Sequence, residues 1–148
     1  MMAAERQMRL LILPGDGIGI EVMQEVRRVA EWFRDVRSLP LDLRERPFGL
    51  ASWQRHGSLM PDETWQEIEQ ADAILFGAVG SIDQQAAPIP AEERKKGGLL
   101  RLRKSLDVFA NLRPIRPFPS LLDMSSLKRE VVEAVDLVDV QPVEQRED

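Results

Sequence analysis

Two groups of residues have the types and spacing to bind an anionic small molecule. The first is a glycine loop, in which an apolar run ends at Pro14 and Gly15, Gly17 and Gly19 follow at every second position before a helical pattern opens. Glycine permits positive φ angles and a close approach of backbone to ligand. A helix N-terminus adds unpaired N–H groups and a partial positive charge. The alternative is a tight strand-to-helix turn that binds nothing.

The glycine spacing excludes the Rossmann dinucleotide fingerprint. That fingerprint reads G-x-G-x-x-G, whereas the third glycine of this loop comes one residue early. Asp16, inside the loop, would also repel a pyrophosphate placed as in that motif. If the loop binds a nucleotide, it does so in another way.

The second group is a basic island from Arg94 to Arg116. It contains eight basic residues and one acid, Asp107, and carries +7 in a chain whose net charge is −5. Such an island indicates a focused anion site. A solvated helix laced with charges is the alternative explanation.

Inside the island, an apolar residue and two arginines have a suggestive spacing. Leu99 and Arg103 lie four residues apart and would share a helix face, while Phe109, Asn111 and Arg113 would alternate onto one side of a strand. Arginine binds carboxylates bidentately and keeps its charge at any working pH. The set suits a small dicarboxylate with an alkyl branch. In the other interpretation Leu99 belongs to the core and the arginines pair with surface acids.

The composition restricts the remaining chemistry. The 148 residues are 43% hydrophobic and include no cysteine, no tyrosine and one histidine, His56. The absence of cysteine excludes disulfides and thiolate metal sites, and two common acid–base side chains are scarce or missing. No apolar run is long enough for a membrane span, and no signal peptide is evident. We therefore expect a cytoplasmic protein, and the negative net charge argues against nucleic-acid binding.

The elements that must position these residues alternate between strands and helices. Such an order predicts a largely parallel sheet flanked by helices, an α/β fold. The expected elements are a strand at Met8–Leu13, a helix from Glu21, a strand at Leu41–Phe48, a helix from Pro61 to Gln70 and a buried strand at Ala71–Val79.

The second part of the chain is patterned less regularly. We expect a long polar loop at Ser81–Gly98, a helix at Leu99–Leu106, a strand at Phe109–Phe118, a short helix capped by Ser125 or Ser126, a strand from Asp136 to Val140, and a disordered acidic tail at Gln141–Asp148.

Several strings occur in an order and spacing that identify a family. They are LLILPGDGIGIEV (Leu10–Val22), HGSLMPDETW (His56–Trp65), ADAILFGAVG (Ala71–Gly80), GLLRLRKSLDVFANLRP (Gly98–Pro114) and FPSLLDMSSLKREVVEAVDLV (Phe118–Val138). Over nearly its whole length the chain resembles the 3-isopropylmalate dehydrogenases, a branch of the β-decarboxylating dehydrogenases that also include isocitrate, homoisocitrate and tartrate dehydrogenases.

The resemblance implies a three-layer α/β fold, a homodimer, and an oxidative decarboxylation in leucine biosynthesis that uses NAD and Mg²⁺ or Mn²⁺. It implies that Arg103 and Arg113 hold the substrate carboxylates and that Leu99 faces the isopropyl group. The residues it places near the cofactor are Gly15, Asp16, Gly17, Ile18, Gly19, Val79 and Gly80.

Departures from the family pattern qualify this expectation. Ile20 replaces a family proline, and Lys96 stands where isopropylmalate enzymes often have an acid. The third substrate arginine, the catalytic tyrosine and lysine and the metal-binding aspartates belong to family sequence beyond the matching part. We therefore expect no catalytic residue or metal ligand in this chain, which would be inactive alone and truncated or frameshifted.

The resemblance also predicts how the chain is divided, and it leaves two alternatives open. We expect the amino-terminal half of a first domain at residues 1–108, the start of a second domain at 109–140, and the tail at 141–148. One alternative is a non-catalytic dicarboxylate-binding or interaction module. The other is a related isocitrate, homoisocitrate or tartrate dehydrogenase.

Overall fold

A computed structural model describes residues 6–80, 89–96 and 98–143. The chain divides into two compact units, Met1–Leu102 and Arg103–Asp148. The division falls inside a helix, six residues before the boundary expected after residue 108. Within the described residues, no helix combines the length and apolar character that a membrane span requires.

The first unit is built on a three-stranded parallel sheet. Its elements are β1 (Met8–Gly15), α1 (Ile18–Val36), β2 (Leu41–Glu45), α2 (Leu50–His56), α3 (Asp62–Gln70), β3 (Ala73–Ala78), α4 (Ala91–Lys96) and the beginning of α5 (Leu99–Ser105). The strand order is β2-β1-β3. Leu10 pairs with Leu43 on one side of β1 and with Ala73 on the other. The expected parallel α/β sheet is confirmed.

The central strand β1 is apolar on both faces because helices cover both. Leu11 and Leu13 belong to a buried cluster with Phe48, Ile68 of α3 and Leu102 of α5. Ile12, which points to the opposite face by strand alternation, is also fully buried. On that face α1 packs against β1 and β3. Burial on both faces is typical of a parallel strand and explains its continuous apolar sequence.

The second unit contains a two-stranded antiparallel sheet. Its elements are β4 (Ala110–Ile115), a 3-10 helix (Pro119–Met124), α6 (Arg129–Val132) and β5 (Leu137–Pro142). Strand β4 pairs with β5 in a register that sets Arg113 opposite Asp139. The expected strands are confirmed, although β4 is shorter than Phe109–Phe118.

Two helices of the structure, α2 and α4, were absent from the sequence prediction. The segment before Gly57 had no assigned structure, but it forms α2. The expected loop at Ser81–Gly98 contains α4, a run of helix-forming residues that begins after Pro90, whose carbonyl accepts hydrogen bonds from the backbone N–H groups of Glu93 and Arg94. Residues 81–88 of that loop lie outside the described residues.

Other boundaries also need correction. Helix α1 begins at Ile18 rather than Glu21, because the N–H groups of Gly19 and Ile20 already bond to the carbonyls of Asp16 and Gly17. The predicted serine cap is wrong, since α6 follows Lys128 without a side-chain cap. The Ser125 hydroxyl accepts a hydrogen bond from the Leu127 N–H instead.

The expected disordered tail begins too early. Gln141 and Pro142 extend β5, where they pair with Asn111 and Ala110 of β4. Cross-strand bonding therefore outweighs the polar composition at these two positions. Residues 144–148 of the predicted tail lie outside the described residues.

Substituting Gly77→Ala should destabilise the first unit strongly. A Cβ at this position would lie 2.1 Å from the Pro14 carbonyl oxygen and 2.9 Å from Cγ of Met23. Backbone oxygen cannot move aside as a flexible side chain can, so we expect a loss of at least about 3 kcal/mol in a urea titration followed by circular dichroism. Gly57→Ala is the control, because a Cβ there meets nothing within 4 Å. Its positive φ should cost only about 1–2 kcal/mol, and equal losses in the two variants would contradict the packing argument.

Candidate functional site

The glycine loop after β1 lies beside the end of β3. Gly15 pairs with Ala78 in the sheet, and the Asp16 N–H donates a hydrogen bond of 2.6 Å to the Ala78 carbonyl. Both loops thus leave the carboxyl ends of adjacent parallel strands, the edge at which open α/β sheets bind ligands. The proximity of the two predicted cofactor segments follows from the parallel pairing of β1 with β3.

The glycines of these loops serve two different purposes. A Cβ at Gly15 would lie 2.1 Å from the Ala78 oxygen, and one at Gly19 would lie 2.3 Å from the Pro14 oxygen. These two glycines are required by packing of the loop against β3. Gly17 and Gly80 have positive φ angles of 52° and 106°, and a Cβ on either would meet nothing within 4 Å. Only these two leave an open backbone that a ligand could approach.

The Asp16 carboxylate anchors neighbouring backbone. Its Oδ1 accepts a hydrogen bond of 3.2 Å from the Ala51 N–H in the first turn of α2, and its Oδ2 accepts one of 3.4 Å from the Gly80 N–H. A Cβ at Gly49 would lie 2.6 Å from Oδ1. Asp16 therefore connects three segments, a role that sequence reasoning missed because α2 was not predicted.

Four of the predicted site residues line one cavity of about 320 Å³ in the first unit. They are Asp16, Val79 and Gly80, expected near the cofactor, and Leu99, expected at the substrate. The rest of the lining consists of Phe48, Gly49, Leu50, Leu59, Ile89, Arg94 and Gly98. The cavity is thus mainly apolar with a few polar groups, as is usual for small-molecule sites.

The other predicted cofactor residues lie outside that lining. Ile18 is 68% exposed and borders a separate apolar groove between α1 and β3 together with Gly19. Gly15 borders a third cavity, at the ends of β1 and β2. Different residues of the glycine loop therefore border three separate cavities or grooves.

The two predicted substrate arginines belong to the second unit, and neither has a side-chain partner among the described residues. Arg103 is half-buried and Arg113 is exposed. Asp139 lies opposite Arg113, but its Oδ2 accepts a hydrogen bond of 2.7 Å from the Gln141 side chain. Across the described part of the chain, no carboxylate pairs with either guanidinium. Both thus remain able to bind a carboxylate.

Other arginines of the basic island do have structural partners. The Arg116 guanidinium donates to Asp136 at 2.7 Å. In the first unit, the Arg101 guanidinium lies 5.9 Å from the centre of the Trp65 ring. Arg116 and Arg101 therefore contribute to local structure, whereas Arg103 and Arg113 have no side-chain partner among the described residues.

A metal site is not found in the part of the chain that the structure describes. Among residues 6–80, 89–96 and 98–143, no three His, Asp or Glu side chains are grouped so as to hold a metal ion. The described residues therefore do not fit the divalent metal that the resemblance implies.

Comparison with protein families gives a match over nearly the whole chain. Residues 9–143 match the family model described as isocitrate/isopropylmalate dehydrogenase. A 3-isopropylmalate dehydrogenase from Ruegeria pomeroyi is 46% identical over 129 residues, which are 87% of this chain and 35% of that protein. 3-Isopropylmalate dehydrogenase 1 from Bordetella bronchiseptica is 42% identical over 89% of this chain and 35% of its own length. The chain thus spans about a third of the length of these relatives.

Solved structures have the same fold. A β-decarboxylating dehydrogenase from Thermococcus kodakarensis superposes with a TM-score of 0.62 at 29% identity, covering 92% of this chain and 34% of that one. An isocitrate dehydrogenase from Methylococcus capsulatus gives a TM-score of 0.67 at 22% identity over 90% of this chain, which supports the fold alone. The expected family resemblance is confirmed.

Removing the Asp16 carboxylate should loosen the cavity wall. We expect Asp16→Ala to lower the free energy of unfolding by about 1–3 kcal/mol, because the backbone N–H groups of Ala51 and Gly80 lose their acceptor. Asp16→Asn keeps one carbonyl acceptor and should lose less. Amide hydrogen exchange should accelerate at Ala51 and Gly80 in the alanine variant.

Glu69→Gln is the matched control, since Glu69 is an exposed carboxylate near the end of α3 with no side-chain partner among described residues. Its effect should stay within about 0.5 kcal/mol. If exchange at Ala51 and Gly80 is the same in Asp16→Ala and wild-type protein, Asp16 does not anchor these segments.

Proposed function

The chain belongs to the isocitrate/isopropylmalate dehydrogenase family, and we propose that it forms the amino-terminal part of a NAD-dependent enzyme for oxidative decarboxylation of a 2-hydroxy dicarboxylate in leucine biosynthesis. The proposed substrate is isopropylmalate, and a cytoplasmic location and homodimeric assembly are part of the same proposal. The observation that carries it is the cavity at the carboxyl ends of β1 and β3, which joins Leu99 to Val79 and Gly80.

Substrate recognition is assigned to one apolar and two cationic side chains. Arg103 and Arg113, which have no carboxylate partner among the described residues, would each hold a substrate carboxylate through paired N–H donors. Leu99 lines the apolar cavity and would face the alkyl branch.

The open glycine backbones support a place for the cofactor. NAD would lie against Gly17, Ile18, Val79 and Gly80, and it supplies the hydride acceptor when bound. Gly17 and Gly80 fit this role because no side chain covers either backbone. Asp16 would hold the Gly80 turn in place rather than contact the dinucleotide.

The chemical step itself is not assigned to the residues of this chain. The resemblance attributes the acid–base pair and the metal ligands to family sequence that this match does not cover. The chain has no tyrosine, and its described residues hold no group of metal ligands. We therefore propose that the 148-residue chain binds ligand without turning it over.

Calorimetric titration of the chain with isopropylmalate tests the substrate assignment. We expect binding in the millimolar range, and Arg103→Gln and Arg113→Gln should each weaken it by about tenfold, because each removes a charged hydrogen-bonding pair. Arg116→Gln is the control, since Arg116 is already paired with Asp136 and its loss lowers the net charge equally.

Absence of heat at millimolar ligand, or equal binding in all four proteins, would reject the assignment. NADH formation from isopropylmalate and NAD by the purified chain would reject the proposed lack of turnover. Parallel titrations with isocitrate and tartrate distinguish the related substrates. Leu99 favours the alkyl branch of isopropylmalate, whereas Lys96 would favour an additional carboxylate.

A second candidate function is association with another polypeptide through the outer edge of β3. Among the described residues, β3 has a partner strand on one side only, and its sequence, AILFGA, contains no charge. Strand β2, at the opposite edge, contains Asp42, Arg44 and Glu45, which discourage pairing. The β3 edge is therefore the one suited to accept a further strand.

The helix beside that edge continues the apolar surface. Val22, Val29 and Val36 of α1 are 48%, 56% and 60% exposed, and their seven-residue spacing keeps them near one helix face. Val22 also lines the apolar groove of about 320 Å³ between α1 and β3. An exposed apolar surface of this kind marks an interaction site.

Size-exclusion chromatography tests this association. The chain should elute as an oligomer at tens of micromolar, and Val22→Glu with Val29→Glu should shift it to monomer, because two charges would be buried on association. Leu127→Glu, which changes an equally exposed residue of the second unit, should leave elution unchanged. A wild-type monomer at every concentration, or equal elution of all three proteins, would reject the candidate.

A further inference from the structure

A second cavity in the first unit has the composition of an anion site. It lies at the carboxyl ends of β1 and β2, has a volume of about 340 Å³, and is bordered by Arg46, Arg55 and His56. The apolar part of its lining includes Pro14, Ile20, Pro47 and Phe48. The roles assigned under the proposed function do not use it.

The acids near this cavity are already paired. Glu45 is the one acidic residue in its lining, and it accepts a hydrogen bond of 2.8 Å from the Arg27 guanidinium. Hydrogen bonds to Glu31 and then to Glu45 raise the pKa of Arg27 above its ordinary value. Glu67 accepts a hydrogen bond of 2.6 Å from Arg46. Local acids therefore balance Arg27 and Arg46, which leaves Arg55 and His56 as the side chains available to a ligand.

Two donor side chains that line the cavity, Arg55 and His56, have no acceptor among the described residues. The Arg55 and His56 side chains, in the last turn of α2, form no hydrogen bond or ion pair with any described residue. The Arg46 Nε also has no acceptor among those residues, but it is fully buried and a ligand in the cavity does not reach it. A ligand that supplies oxygen acceptors to Arg55 and His56 would therefore be favoured.

We propose that this cavity binds a phosphomonoester, with the phosphate at Arg55 and His56 and the organic group against Pro47 and Ile20. A phosphate has acceptor oxygens in several directions and can therefore accept hydrogen bonds from both side chains of the last turn of α2. A planar carboxylate suits one guanidinium better than it suits two separate side chains. The apolar lining favours a phosphate that carries an organic substituent over free phosphate.

The single histidine provides a selective reporter for this binding. Because His56 is the only histidine in the chain, its imidazole proton resonances are unique in the NMR spectrum. Phenyl phosphate, added at fixed pH and constant ionic strength, should shift them saturably. Inorganic phosphate should bind about threefold to tenfold more weakly, because it lacks the apolar contact, and benzoate should be weaker still.

Variants distinguish binding at this cavity from nonspecific attraction of the ligand to positive charge. Arg55→Gln should weaken phenyl phosphate binding by about tenfold, and Arg55→Lys should give an intermediate loss because charge remains without the paired donors. Arg37→Gln is the control, since Arg37 is an exposed arginine outside the cavity lining with no side-chain partner among described residues.

A linear, non-saturating shift, or equal shifts in Arg55→Gln and Arg37→Gln, would overturn the proposal. Benzoate binding as tight as phenyl phosphate binding would overturn the preference for phosphate. Failure to bind isopropylmalate would leave this proposal standing, because the two ligands occupy different cavities.

Discussion

The close approach of the loop after β1 to the end of β3 is the constraint on which the first unit depends. Pro14 and Ala78 bring backbone carbonyls to positions where Gly15, Gly19 and Gly77 have no room for a Cβ. This contact holds the loops at the carboxyl ends of β1 and β3 side by side. The cavity between Asp16, Gly80 and Leu99 exists because the two loops are held together at this point.

Carboxylates then fix the surrounding segments. Asp16 joins the loop to α2 and to Gly80. Glu93 of α4 accepts hydrogen bonds from the Ser58 hydroxyl at 2.7 Å and the Leu59 N–H at 3.1 Å. Both carboxylates accept hydrogen bonds from backbone N–H groups that have no partner in a helix or a sheet. The walls of the site are therefore positioned by acidic residues that do not need to touch a ligand.

The arginines fall into two groups with different consequences. Arg27, Arg46 and Arg116 are paired with acids and contribute to local structure. Arg55, Arg103 and Arg113 have no acid among the described residues to pair with, so their charge is available to ligands. An acidic chain can in this way keep some arginines free of acidic partners. The number of basic residues in a segment is therefore a weaker guide to anion binding than whether each of those residues has an acidic partner.

The sequence by itself determined the class of fold, the family and the main strands, because these depend on local apolar patterning and on contiguous strings such as LLILPGDGIGIEV (Leu10–Val22). The family resemblance also implied that Gly17, Val79 and Gly80 lie near the cofactor. The tertiary structure decided which glycines serve packing, because the clash at Gly15 comes from Ala78, 63 residues away in the chain. It likewise decided that Asp16 anchors α2 and that Arg55 has no partner among the described residues. Such roles depend on contacts between distant segments, which local propensity and spacing do not encode.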